Sequence, residues 1–352
     1  MVNELPYCQR ILQKNIIVAG LWFGPSDPVV NLFLKPMYTE LTTLKSEGVQ
    51  VRKYGENEDQ TVKAIVLYGT GDSPMRSDYL NHMRFNGDFG CTVCVAKGYT
   101  ISGEGFGNTH IFPFEGVEHI RTQKEVDECA KLAVETGKPV LGVKGPTLLS
   151  KIMPDASKGM CIDVMHCLFL GVVKKLMTLW FDSKTRFEAW SLYPNLNVVD
   201  NYLSNLKPPS IVPRNPRSID QHLAYFKASE FKYWFFCYSV PILREVLKPD
   251  YFDHYLKLVM GIFLLCQESI TEDMLDNSEK LLVAFVSQFQ ALYDARYMSF
   301  NTHLLIHLPR VVRNTGPLWV STCFPMEDLL GKVMRYSRDH AYRVTSLFDC
   351  CP

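Results

Sequence analysis

Two short motifs far apart in the chain constrain its fold more than any other feature: Cys91-Thr-Val-Cys94 and His303-Leu-Leu-Ile-His307. Thiols at that spacing fit a tight turn that presents both sulfurs to one tetrahedral metal. Imidazoles four residues apart project from one face of a helix. Neither pair completes a four-coordinate site alone. If both serve one ion, the fold must bring residue 91 against residue 303. The competing readings of the cysteines are a thiol redox pair and an incidental pair of buried thiols. Redox pairs usually open a helix directly after a strand, whereas this pair lies among glycines. With eleven cysteines and nine histidines in 352 residues, either motif alone could arise by chance. His110 and His119 are nearer in sequence and compete for the remaining ligand positions, as does His166 on an apolar segment. For His303 the competing reading is an interior histidine bonded to backbone.

Composition sets the compartment and the charge. The chain is 47% hydrophobic and 21% charged, as expected of a globular protein, and its 37 basic residues cancel its 37 acidic ones. A neutral balance removes the simplest case for nucleic-acid binding but allows local basic faces. His307–Asn314 and Lys332–Arg343 are the candidates, against the alternative that each is a solvated helix face. The cysteines are scattered, which fits free thiols in a reducing compartment. The N-terminal residues show no cationic segment followed by an apolar one. The best apolar run, Leu256–Cys266, is too short to span a bilayer and carries Lys257. The expectation is a soluble intracellular protein with no membrane partner.

Hydrophobic periodicity divides the chain into two styles. Asn15–Gly24 predicts a strand. A helix follows, with Asp27 as cap, Pro28 in its first turn, a kink or break at Pro36 and a stop at Gly48. A short strand is expected near Val49, then a buried strand over Thr61–Tyr68 that opens into a glycine-rich loop at Asp72. Strand, helix, strand is the order of a crossover unit, whose active sites lie at the carboxyl ends of the strands. Lys97–Arg121 is glycine-rich and irregular. Beyond Thr122 the chain predicts helices over 123–137, 159–182, 220–247, 250–270 and 278–297, with a proline-rich surface loop at Asn205–Ser218.

Two acids fall at places where metal ligands are found. Asp72 ends a strand, and Glu327 begins a helix twenty residues after His307. One carboxylate at a strand end and one on a later helix can share Mg²⁺ in two-metal phosphoryl transfer. The alternatives are a turn aspartate and a glutamate favoured by the helix dipole.

Taken in order, "NELPYCQR", "LWFGPSDPVVNLFLKPMYTEL", "LYGTGDSP", "GDFGCTVC", "THIFPFEGVEHIR", "CIDVMHCLFLGVVKKLM" and "NTHLLIHLPRVVRNTGPLWVSTCFPMEDLLGKV" resemble the transposases of CACTA (En/Spm-type) DNA transposons, in the version found in animal genomes. The resemblance covers nearly the whole chain. It implies an RNase H-like core in which three acids hold two divalent metals, Mg²⁺ or Mn²⁺, that cut and rejoin DNA. Asp72 matches the second acid and Glu327 the third, in an F-x-x-E motif. A similar plan occurs in the catalytic subunit of the V(D)J recombinase, where a Cys-x-x-Cys and a downstream histidine pair share a structural zinc. The matching positions here are Cys91, Cys94, His303 and His307, with His110 the alternative ligand.

The first acid of that plan lies on a strand that would precede Met1. The expected fold class is therefore α/β plus α: an incomplete RNase H-like core without its first strand, a large helical insertion and a zinc-binding Cys-x-x-Cys. The expected divisions are 1–90 for the partial core, 91–300 for the zinc knuckle and helical insertion, and 301–352 for helices that complete the core. The expected function is a transposase-derived remnant, inactive in strand cleavage as this chain. The alternative is a domesticated zinc-containing module that binds DNA or protein. DNA and a second copy of the chain are the expected partners. The nucleus is the expected location, or the cytoplasm for a non-functional fragment.

Overall fold

In the computed structural model, which describes residues 1–339 apart from 23, 56 and 104–106, the apolar run at 15–24 forms no strand. A 3₁₀ turn at Gln13–Asn15 leads into irregular backbone, and Ile17, Val18, Leu21 and Trp22 are at least half exposed. A β-rich sequence becomes a strand only where a neighbour takes its N–H and C=O groups. Among the described residues none does so here.

The first long helix, α1 (Val30–Ser46), starts later than its cap signals suggest. Val29 is the N-cap and offers no side-chain bond, and Pro36 sits inside a helix that remains one element. Gly48 ends it at φ +83°, and a Cβ there would lie 2.7 Å from Val62 O, so only glycine fits. The chain then makes an exposed antiparallel hairpin of β1 (Val49–Val51) and β2 (Gln60–Val62). The strand expected over Thr61–Tyr68 is thus cut short. Ile65 and Leu67 lie beyond the ladder, about half exposed.

Pairing resumes at β3 (Gly69–Gly71), followed at once by α2 (Ser73–Tyr79). The stretch expected to be irregular holds a hairpin of β4 (Tyr99–Gly103) and β5 (Gly107–Ile111). Its glycines mask alternating strand residues in the sequence. The helix α3 (Gln123–Thr136) follows its sequence signals closely. Thr122 and Glu125 form a capping box, and Gly137 closes the helix in the left-handed region.

The apolar segment from Gly159 is not one helix. It opens with β6 (Met160–Ile162), which pairs in parallel with β3. A π-helix at Met165–Val173 then runs into α4 (Lys174–Phe181). A fully buried strand and a buried helix share the same unbroken apolar composition, which is why the join is invisible in sequence. Further on come α5 (Pro249–Leu265), α6 (Glu272–Tyr293), α7 (Phe300–Leu304), α8 (Leu308–Thr315) and α9 (Phe324–Asp339). The segment expected as one helix over 220–247 is broken into short helical pieces, one of them a π-turn at Trp234–Tyr238.

The fold is therefore mixed α/β and mostly helical, with three two-stranded sheets among the described residues. No larger sheet is formed among them. The residues group into two compact units, Pro28–Ser321 and the described parts of Met1–Asp27 with Thr322–Pro352. These boundaries differ from the breaks expected after 90 and 300. Within the larger unit the core is aromatic. Trp180, Tyr255, Phe285, Phe289 and Tyr293 are all fully buried. Their polar atoms are satisfied inside it: Trp180 Nε1 donates to Tyr293 Oη at 3.1 Å and Tyr255 Oη to Ser239 Oγ at 2.9 Å. Helices α5 and α6 approach closely at Gly261, whose carbonyl accepts from Ser278 Oγ at 2.8 Å. No helix of the described residues is long and apolar enough to cross a membrane.

Candidate metal centre

The two motifs meet. Cys91 and Cys94 lie on a loop between α2 and β4 that two backbone hydrogen bonds hold in place. Val95 N donates to His119 O at 3.1 Å and Arg121 N to Val93 O at 2.9 Å, which together make the antiparallel bridge of Cys94 with Ile120. Ser299 caps α7 through Thr302 N and so starts the helix that carries His303. A 3₁₀ turn at Leu305–His307 brings His307 round beside it. Phe112 N donates to Met298 O at 2.8 Å and ties the end of β5 to this segment.

The four ligand atoms lie within 4.8 Å of one another. Cys94 Sγ is 3.3 Å from His303 Nε2, Cys91 Sγ is 3.6 Å from His307 Nε2, and the two Nε2 atoms are 3.3 Å apart. Zinc at about 2.3 Å from sulfur and about 2.1 Å from nitrogen has tetrahedral edges of about 3.6 Å for S···N and about 3.4 Å for N···N. The observed spacings fit that geometry. All four side chains are buried, with both sulfurs fully enclosed. The centre could therefore hold a metal ion such as zinc.

Its electrostatics suit a cation. Burial raises the Cys91 thiol, but the Cys94 hydrogen bond and the facing imidazoles of His307 and His303 outweigh it and hold Cys91 well below the ordinary thiol range. Cys94 is pushed up, first by its hydrogen bond to Cys91, then by burial and by the charge on Cys91. Burial holds His307 below the usual imidazole value. The two thiols are thus driven apart in acidity. A bound dication allows both to ionise. Ala96 N already donates to Cys94 Sγ at 3.4 Å.

Sequence reasoning missed Arg121. Its Nε donates to Cys91 O at 3.1 Å and to Cys94 O at 2.8 Å, so one buried guanidinium clamps both ends of the knuckle. A lone arginine before a capping threonine gives no signal of this in sequence. His110 lies on β5, where its Nδ1 meets Thr100 Oγ1 at 3.1 Å, and it is not one of the four clustered ligands. His119 pairs with Glu125 at the surface, 2.8 Å away.

Asp72 stands where expected, directly after β3, and caps α2 by accepting from Met75 N at 2.8 Å. A second acid was not foreseen. Gly71 pairs with Ile162 in the parallel ladder, so Asp163 leaves β6 beside Asp72. Asp163 is buried and accepts from Met165 N and His166 N, and its Oδ2 lies 2.6 Å from His166 Nδ1. The one local signal was an aspartate directly after the apolar triplet Met160–Ile162. Glu327 lies in the first turn of α9, in the smaller unit. Of the basic segments, Arg313 is committed to Glu272 and Asp276 and Lys332 to Asp328. Residues 340–343 lie outside the described residues.

No family model matches this sequence, and no curated protein matches it.

Proposed function

We propose that the chain derives from a DNA transposase of the three-carboxylate, two-metal class, with a structural zinc that closes its helical insertion. What supports the reading is that Cys91, Cys94, His303 and His307, the residues the resemblance singles out, lie within 4.8 Å of one another. In this reading the zinc does no chemistry. It fixes the knuckle against α7 and so sets where the insertion begins and ends. Asp72, at the carboxyl end of a parallel strand, is the second acid and Glu327 the third, with Mg²⁺ or Mn²⁺ as the catalytic ion. Strand cleavage needs a third carboxylate as well, because neither metal is held correctly by two. Asp163 stands beside Asp72 and accepts from Met165 N and His166 N, with its Oδ2 against the His166 ring, so it orients His166. The proposed partners are DNA and a second copy of the chain, in the nucleus.

A second reading keeps the zinc and drops the catalysis, leaving a module that binds DNA or protein. The observation that favours it is the Asp72 side chain, already engaged as a helix cap.

The test is metal content by mass spectrometry, with retardation of a DNA duplex at several salt concentrations. The proposal expects about one zinc per chain, lost in both Cys91→Ser and His303→Ala, and DNA binding that falls steeply with salt. Zinc-free wild type, or zinc retained in His303→Ala, overturns the centre. Zinc without DNA binding at low salt overturns the transposase reading and leaves a protein-binding module.

A further inference from the structure

Phe187 stands on the surface at 88% exposure. A single exposed apolar side chain needs no explanation by itself. Two features set this one apart, and the first is rigidity. The 3₁₀ turn just before it, Ser183–Thr185, is capped by the Asp182 side chain, which accepts from Lys184 N at 2.9 Å. Thr185 Oγ1 donates to Leu179 O and to Asp182 O, both at 2.8 Å, and Glu188 N donates to Thr185 O at 2.9 Å. Beyond the turn, Leu192 N donates to the carbonyl of the buried Trp180 at 2.6 Å. Hydrogen bonds on both sides of Phe187 therefore hold its backbone in place while the ring stays in solvent.

The second feature is charge. The Arg186 guanidinium lies 4.6 Å from the centroid of the Phe187 ring and occupies one of its faces. With so much of the ring exposed, the opposite face is open. Lys184 and Arg186 are exposed too, and among the described residues neither pairs with a carboxylate. The two acids that adjoin them are engaged elsewhere: Asp182 caps the turn, and Glu188 faces Arg296 at 3.7 Å. An open aromatic face beside two unpaired cations matches a stacked base and the phosphates that flank it. An apolar protein surface would cover the ring but bury both cations without partners, which is costly. A base inside a duplex keeps its faces against its neighbours, so only an unpaired base can stack here.

We propose that Lys184, Arg186 and Phe187 form a contact for single-stranded DNA. One base stacks on the open face of Phe187, and the adjoining phosphates meet Arg186 and Lys184. The inference rests on the DNA partnership proposed above and deepens it, by naming the strand state that is held and the surface that holds it.

The test is fluorescence anisotropy with the full chain and a labelled oligothymidylate of about 15 nucleotides, beside a duplex of the same length. Phe187→Ala should weaken binding of the single strand about tenfold, as loss of one stacked base does, and leave its salt dependence unchanged. Phe187→Tyr should keep the affinity, because the stacking face remains. Lys184→Gln and Arg186→Gln should each lower the slope of log K against log salt by about 0.7, the share of one phosphate contact on a single strand. All three side chains are exposed, so these variants should keep the fold. Wild-type affinity in Phe187→Ala overturns the proposal, leaves DNA binding standing and makes the ring a protein contact. Binding of the duplex without the single strand overturns it in the same way. No binding of either at low salt overturns the DNA partnership and this surface together.

Discussion

Cys94 Sγ lies 3.3 Å from His303 Nε2 across 209 residues of chain. Removing a metal from this contact leaves two sulfurs and two imidazoles packed together with no cation to hold them. Chelation should therefore lower stability, by about 4 kcal/mol where free zinc had exceeded its dissociation constant a thousandfold. Denaturant unfolding with and without a chelator measures it. The same chelator should have no effect on Cys91→Ser. An equal effect on that variant would place the metal elsewhere.

Arg121 should matter as much as a ligand. Replacing it with Met keeps the apolar stem but removes the bonds to Cys91 O and Cys94 O. Zinc affinity should fall roughly 10–100-fold, the usual effect of losing an outer partner of a metal ligand. Competition with a chromophoric chelator reads the change. Lys at this position should not rescue it, because its ammonium sits one bond farther along the side chain than the Nε–H that donates to both carbonyls.

How much of this was legible in sequence depends on whether a signal was local. The four clustered side chains were legible because each pair is a spacing of a few residues. Helix α3 was legible because its apolar residues recur at helical spacing and Gly137 marks its end. The strands were not. The β-branched residues of 15–24 suggested a strand, yet the run pairs with nothing described. Met160–Ile162 suggested helix and became β6. Strand formation is decided by a partner some ninety residues away, at Gly69–Gly71, which no local window contains. Asp163 was missed for the same reason, since only the register of β3 and β6 sets it beside Asp72. Arg121 acts through carbonyls that any residue possesses, so its partners leave no trace in the sequence.

Asp72 can be split into its two roles. Asn caps a helix about as well as Asp, whereas Ala costs about 1 kcal/mol. Asp72→Asn should keep wild-type stability in urea, and Asp72→Ala should lose roughly that amount. If Asp72 also holds a divalent ion, both variants should lose Mn²⁺ binding read by electron paramagnetic resonance. Wild-type Mn²⁺ binding by Asp72→Asn would reduce the residue to a cap.

Stability should fall in mild acid through His254. Burial drives its pKa from 6.5 to about 4, while its Nε2 meets Phe285 O at 2.8 Å. The folded value lies below the unfolded one, so the unfolded chain binds the extra proton between these limits. Stability is full above the unfolded value and is lost as pH drops from about 6.5 toward 4. At pH 5 the loss from this residue is about 2 kcal/mol. His254→Gln, which can still donate to Phe285 O, should flatten the slope by that amount in denaturant unfolding at pH 7 and pH 5.

The knuckle and the histidine helix also act as a clasp on a ring of chain. The entropy of closing such a ring grows only with the logarithm of its length, so doubling the enclosed segment costs about 0.6 kcal/mol. The exposed loops of that ring, such as Asn205–Ser218, are thus free to lengthen or shorten with little effect on the clasp, whereas the buried aromatic core inside it is not. Natural variation in length should gather in those loops, where it is thermodynamically cheap, and be scarce at the four clustered side chains and the arginine beside them.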